Sequence, residues 1–336
     1  MSIILSRTPF RVSFFGGGSD YPTWFQREGG AVLSAGIDKY AYISCRYLPP
    51  FLGIRHRVVW RHVELVDSIA ELLHPAVREG LRYLGFDDSR GIELHYQGDI
   101  PARSGMGSSS SFVVGLIKAL MVLRGVDLDQ TKLAEMAIDL EQNVMKEMVG
   151  SQDQVAAAFG GLNTIRFHPN GSFAVEPIGL SAERERDLIS RLILVFPGHS
   201  RIASEVATSV AGNLENKSAS VRRMMAMVDK GAQILRNGDL DDFGALLHEA
   251  WALKRGLSER VSSQHIDELY ATARKAGAIG GKLLGAGGTG FVLLYVKPER
   301  QADVRAALPH CLHVPFGIDH SGSTIIYSAP GAADYP

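Results

Sequence analysis

Apolar and polar positions change rhythm several times along the chain, and each rhythm predicts an element. Residues 41–47 and 92–96 alternate apolar with polar, the mark of strands with one face in a core. From 108 to 123 the alternation stops. Phe112, Val113, Val114, Leu116, Ile117, Ala119, Leu120, Met121, Val122 and Leu123 leave almost no polar face, which predicts a buried helix. A second helix is expected over about 131–148, where Leu133, Ala137, Leu140, Val144 and Met148 recur at spacings of three and four. Residues 163–168 and 173–178 flank Pro169, Asn170 and Gly171, a hairpin signal. The charged run 182–187 marks a boundary between lobes, so the expected lobes are 1–185 and 186–330. Beyond it come a strand at 192–196, helical stretches near 218–236, 241–259 and 264–276, and strands at 291–296 and near 323–328. The order is mixed rather than strictly alternating, which predicts an α+β architecture and not a doubly wound parallel sheet.

Composition narrows the partners more than the fold. Lys plus Arg total 35 against 36 Asp plus Glu, so no net charge draws the chain to nucleic acid or to an acidic membrane. No apolar run approaches membrane-spanning length, and residues 1–7 lack the length and flanks of a signal peptide. Cys45 and Cys311 match no zinc or redox spacing and read as free thiols in a reducing compartment. The expected location is cytoplasmic, with a disordered tail at 331–336.

Glycine clusters carry the candidate chemistry. Residues 101–111 (Pro101, Ala102, Arg103, Ser104, Gly105, Met106, Gly107 and Ser108 to Ser111) lead into the buried helix. Glycines let backbone approach a ligand, serines suit a helix start, and the amides and dipole there favour an anion, phosphate above all. A well-capped helix after a tight turn is the bland alternative. The stretch is neither a P-loop nor a dinucleotide fingerprint, for the required spacings are absent. A second cluster ends the strand from Arg7 in Gly16, Gly17 and Gly18 and then presents Ser19, Asp20 and Tyr21, a carboxylate suited to sugar hydroxyls or simply a turn. A third runs from Gly280 through Gly285, Gly287 and Gly288 to Phe291. It is either a loop over a nucleotide or a bend between strands. Between the first and third stand Glu141 and, in residues 150–154, Asp153. One carboxylate could hold Mg²⁺ while the other takes a hydroxyl proton, although solvated carboxylates would look the same.

In this order the pieces resemble the GHMP kinases, the superfamily of galactokinase, homoserine, mevalonate and phosphomevalonate kinases. Residues 101–109 are similar to its Pro-x-x-x-Gly-Leu-Gly-Ser-Ser loop, with Met106 where Leu is usual. Residues 8–22, 37–40, 101–111, 150–154, 204–207 and 282–288 further resemble one branch, the D-glycero-D-manno-heptose 7-phosphate kinases, over about residues 3–328.

The resemblance implies a first lobe with a left-handed β-α-β unit and a ferredoxin-like second lobe, with ATP between them. It implies that Pro101, Arg103, Ser104, Gly105, Met106, Gly107, Ser108, Ser109 and Ser110, with Gly285, Gly287 and Gly288, surround the nucleotide. Ser109 and Glu141 would hold Mg²⁺. Asp153 would act as base, with Arg11 keeping it ionised and offsetting transition-state charge. Gly17, Gly18, Ser19, Asp20 and Tyr21 would bind the acceptor, a sugar or sugar phosphate. An acceptor already bearing phosphate needs a cation. Arg46, Arg55, Arg57, Arg103, Lys146, Arg201, Lys254 and Arg255 are the candidates. A neutral-sugar kinase and a non-catalytic sugar sensor are the rival readings.

Overall fold

The computed structural model describes residues 3–198, 203–288 and 290–329, without the side chains of 203–205. Arg201 and the tail at 331–336 lie outside the described residues. Twelve strands and eleven α-helices occur among those described, in the α+β arrangement expected.

The larger sheet is built on two long strands, β1 (Ile3–Phe15) and β2 (Gly30–Tyr47), paired antiparallel along most of their length. The alternating stretch at 41–47 is thus only the end of an 18-residue strand. Residues 30–37 of β2 are buried on both faces and are apolar apart from Ser34, so alternation could not reveal them. β5 (Ile92–Gly98) joins β2, and β3 (His56–Val59) pairs parallel with β5 and antiparallel with β4 (Val63–Val66). β4 and α2 (Pro75–Tyr83) lie in the chain between β3 and β5 and make this the β-α-β connection. β6 (Leu162–Phe167) and β7 (Phe173–Pro177) form the expected hairpin beside β2. On this sheet lie α3 (Ser108–Leu123), α4 (Gln130–Asp139) and α5 (Gln152–Phe159), sharing one apolar core with it. α1 (Pro22–Glu28) follows the first glycine turn.

The second helix of the sequence reading ends early. α4 stops at Asp139, and residues Leu140–Val144 form a π-helical turn that leaves Val144 and Met148 exposed. The wider turn breaks the three-and-four spacing on which the longer helix rested, and such turns recur at functional sites.

The second lobe carries a four-stranded antiparallel sheet ordered β11 (Leu312–Val314), β8 (Leu192–Phe196), β10 (Val292–Tyr295), β9 (Gly280–Leu283), the ferredoxin-like order. Its helices are α6 (Ala182–Ser190), α7 (Ala203–Asn213), α8 (Ser218–Asn237), α9 (Leu240–Arg255), α10 (Gln264–Ala276) and α11 (Gln301–Ala307). α9 ends at Arg255 rather than near 259, turned by Gly256. Strand alternation divides the lobe's contacts. Leu194, Leu293 and Tyr295 face a core shared with Phe10, Val12, Phe14 and Phe15 of β1, whereas Ile193, Val195, Val292 and Leu294 face a core formed with α7 and α10. The shared core fastens the two lobes. β12 (Thr324–Ser328), read from sequence within the second lobe, returns to the larger sheet and pairs with β1. Cys45 and Cys311 are free, the first buried and the second half-buried.

Candidate active site

Between the lobes opens a cavity of about 660 Å³, lined by the end of β1, the first glycine turn, the loop before α3, the segment before α5, and α7 to α9. Glycine chemistry shapes its walls. Gly105 and Gly107 have φ of 79° and 72°. A Cβ on Gly105 would stand 2.6 Å from the Leu284 carbonyl oxygen, and one on Gly285 would stand 2.5 Å from the Gly105 Cα. Phe291 donates its amide to the Ser104 carbonyl at 3.0 Å. The third glycine cluster is therefore a bend between β9 and β10 that packs on the first loop.

The serines do not cap α3. Gly107 occupies the N-cap position in a left-handed conformation, and no side chain bonds the first amides. The hydroxyls go elsewhere. Ser108 Oγ accepts from the Arg103 amide at 3.2 Å, Ser111 donates to the Pro9 carbonyl at 2.9 Å, and Ser109 and Ser110 donate to Glu141 at 3.1 and 2.7 Å. Uncapped amides at the start of a long helix suit an anion.

Glu141 stands in the π-helical turn, fully buried, with Gln154 as a third donor. Burial pushes its carboxyl up to about 7, against the three hydrogen bonds that favour its charge. One buried carboxylate beside serine hydroxyls is an oxygen-only donor set. It fits Mg²⁺, which takes few protein ligands and completes its shell with water and phosphate. No cluster of three or more His, Cys, Asp or Glu that could cage a metal occurs among the described residues.

Asp153 lies in the first turn of α5. Arg11, only 3% exposed on β1, grips it in a fork, Nε to Oδ1 at 2.7 Å and Nη2 to Oδ2 at 2.8 Å. Nη1 of Arg11 donates to the Gly105 carbonyl at 2.8 Å, joining the carboxylate to the glycine loop. Asp20 faces the same cavity. Its oxygens accept from the Gly18 amide and from Gln152 Nε2, both at 2.9 Å, and burial with the nearby Asp153 charge raises its pKa. Gly150 permits this approach, since a Cβ there would lie 1.9 Å from Asp20 Oδ2.

Not every candidate reaches the cavity. Arg103, Gly105, Gly107, Ser108 to Ser110, Gly285, Gly17, Gly18 and Tyr21 line it, whereas Pro101, Ser104, Met106, Gly287 and Gly288 do not, and Glu141 lies buried behind Ser109 and Ser110 rather than on the cavity wall. Ser19 faces inward as a bolt, its hydroxyl lying 2.8 and 2.9 Å from the Gly16 and Ala31 carbonyl oxygens. Gly287 packs on Val261 and Gly288 donates its amide to the Val261 carbonyl. Of the basic candidates, Arg103, Lys146 and Lys254 line the cavity. Arg46 and Arg57 pair with Glu93, Arg255 pairs with Asp267, and Arg55 donates to the Asp88 carbonyl. Sequence reasoning missed Lys282, Gln152 and the apolar wall of Ala207, Val210, Met224, Ala250 and Leu257. Gln152 sat within the 150–154 motif already quoted, but nothing in the helical pattern of the wall distinguished it from core.

Residues 66–161 match the family pattern described as GHMP kinases N terminal domain, and residues 232–313 match that of GHMP kinases C terminal. The chain belongs to the GHMP kinases. It is a phosphotransferase of that family. The heptose 7-phosphate kinase of Campylobacter jejuni (D-glycero-alpha-D-manno-heptose 7-phosphate kinase) is 28% identical over 330 residues, 92% of this GHMP kinase and 94% of that protein. The bifunctional fucokinase/GDP-fucose pyrophosphorylase of Arabidopsis thaliana is 26% identical over 88% of this chain, which spans 30% of that longer protein. The fold is shared with a crystal structure described as a D-glycero-D-manno-heptose 1-phosphate kinase from Bacteriodes thetaiotaomicron, with TM-score 0.79, 24% identity, and coverage of 99% and 100% of the two chains.

Proposed function

We propose that this GHMP kinase moves the γ-phosphoryl group of ATP to the anomeric hydroxyl of D-glycero-D-manno-heptose 7-phosphate, giving the 1,7-bisphosphate. The observation that carries the reading is the convergence of Asp153, gripped by Arg11, with Asp20 and the uncapped start of α3 on one cavity. The likeness to the heptose 7-phosphate kinase of Campylobacter jejuni over nearly the whole of both chains supports the acceptor.

The amides of Gly107 to Ser110 take the phosphates of ATP, under the glycine stretch that ends β9. Ser109 and Glu141 would hold Mg²⁺, which when bound neutralises phosphate charge. Asp20 accepts hydrogen bonds from acceptor hydroxyls through lone pairs left by Gly18 and Gln152. Asp153 takes the proton of the attacking hydroxyl, whose oxygen bonds to the γ-phosphorus as the bond to ADP breaks. The acceptor's own phosphate falls to Arg103 and Lys146, exposed on the cavity wall.

Release of ADP from Mg-ATP across heptose 7-phosphate, mannose 6-phosphate, mannose, fucose and galactose tests the reading. Turnover with the heptose phosphate and a bisphosphate product by mass spectrometry are expected. Turnover confined to a neutral sugar refutes the acceptor, and ATP and sugar binding without ADP identifies a sensor.

A further inference from the structure

Phosphoryl transfer leaves negative charge on the transferring group, and a protein speeds the step mainly by placing fixed positive charge there. Arg11 is poorly placed to serve both that group and the base. Its fork is committed to Asp153, and a third donor to the Gly105 carbonyl. Lys282 is buried, with its Nζ donating to the Phe14 carbonyl at 2.9 Å. Arg103 and Lys146 are exposed.

Lys254 differs from all of these. It sits in the last turn of α9 and lines the cavity with Arg11, Asp20 and Asp153. Its Nζ donates to the Leu283 carbonyl at 2.9 Å and to the Gly285 carbonyl. Both acceptors belong to the glycine stretch whose Gly285 packs on Gly105 of the phosphate loop. An ammonium has three N–H donors, so one remains for a ligand. Neutral carbonyls orient it without cancelling its charge, as a carboxylate partner would.

We propose that Lys254 is a further catalytic residue of this kinase, the cation that faces the phosphoryl group during transfer from ATP to the acceptor oxygen. Arg11 then serves to hold Asp153. The proposal rests on the reading of this cavity as the transfer site, and it holds for any acceptor hydroxyl.

Burial pushes the Lys254 ammonium down to about 7; Arg11 on β1 adds to the fall, while Asp20 after β1 and Asp153 on α5 oppose it. Lys282 on β9 also faces it. The protonated form is the active one, so kcat/KM of the free enzyme is expected to fall as pH rises through about 7.

The test is steady-state kinetics of the full chain and of Lys254→Met and Lys254→Arg, with Mg-ATP and whichever sugar of the panel the unaltered enzyme phosphorylates. Lys254→Met is expected to lose about 100-fold or more in kcat, with both KM values within about 3-fold, the scale of losing one such donor. Lys254→Arg is expected to recover part of that rate and to lack the fall near pH 7. A Met variant within about 3-fold of the original kcat overturns the proposal, as does a loss confined to the acceptor KM. Should the Met variant not fold, an Arg variant that keeps the fall near pH 7 overturns it. An unaltered enzyme active only on neutral sugars refutes the heptose reading alone, whereas one silent with every sugar refutes both.

Discussion

Asp153 and Arg11 come from positions 142 residues apart and meet in a two-point ion pair at the end of β1 and the start of α5. Each anchors the other, so the pair separates chemistry from binding in a variant. Asp153→Ala is expected to lower kcat by about 100- to 10,000-fold, the usual worth of a positioned general base. ATP affinity should stay within a few-fold, because no ATP-facing amide is touched; full activity in the folded variant would refute the role. Glu141 makes a different prediction. Replacing it by Gln keeps a partner for Ser109 and Ser110 but removes the charge, so the Mg²⁺ concentration for half-maximal rate is expected to rise about 10-fold or more, one charge-assisted contact being worth 1.5–3 kcal/mol. An unchanged magnesium titration would make Glu141 a purely structural carboxylate. Arg11, Asp20, Glu141 and Asp153 were all legible as residue types in glycine-rich or helix-edge settings. Their partners Gln152 and Gln154 were not, since a glutamine hydrogen bond leaves no pattern in sequence.

Among elements, the segment between the π-helical turn and α5 is the joint on which the site depends. Gly150 lets it lie against Asp20, and the Ser151 amide donates to the Asp20 carbonyl at 2.9 Å. Gly150→Ala would force a methyl to within 1.9 Å of the Asp20 carboxylate, so either that side chain or the loop must shift. The expected result is a raised acceptor KM, about 10-fold or more, with the KM for ATP little changed. An equal rise in both would show that the loop, not Asp20, had moved. The helical pattern that suggested one helix to Met148 failed here for a physical reason. A π-helical turn adds a residue to the circuit and rotates every later side chain off the stripe, which buried Leu140 and Glu141 but exposed Val144. The helix at 108–123 was legible because it is buried from Ser110 to Leu120 apart from Lys118, leaving almost no polar face to confuse the period.

At the scale of the molecule, one core contains Phe14 and Phe15 of β1, Phe243 of α9 and Tyr295 of β10, so the lobes share apolar surface beneath the cavity. A single cooperative thermal transition is expected, shifted upward by Mg-ATP. At 100 times its Kd a ligand adds about 2.7 kcal/mol. Two transitions, of which ATP moved only one, would contradict the shared core. The sequence by itself determined the α+β class, the buried helix, the hairpin, the glycine loops and the carboxylates, because each is written in local spacing or residue type. Tertiary structure alone decided that β12 closes the first sheet, that the third glycine stretch lies on the first, and that serines meant for a cap bind Glu141 instead. It also decided which of the scattered cations face the cavity, with Lys254 among them. These are meetings between segments well separated in the chain, by 31 residues for Ser110 and Glu141 and by far more for β1 and β12, fixed by packing and by hydrogen bonds satisfied at a distance, and no local rhythm of the chain records them.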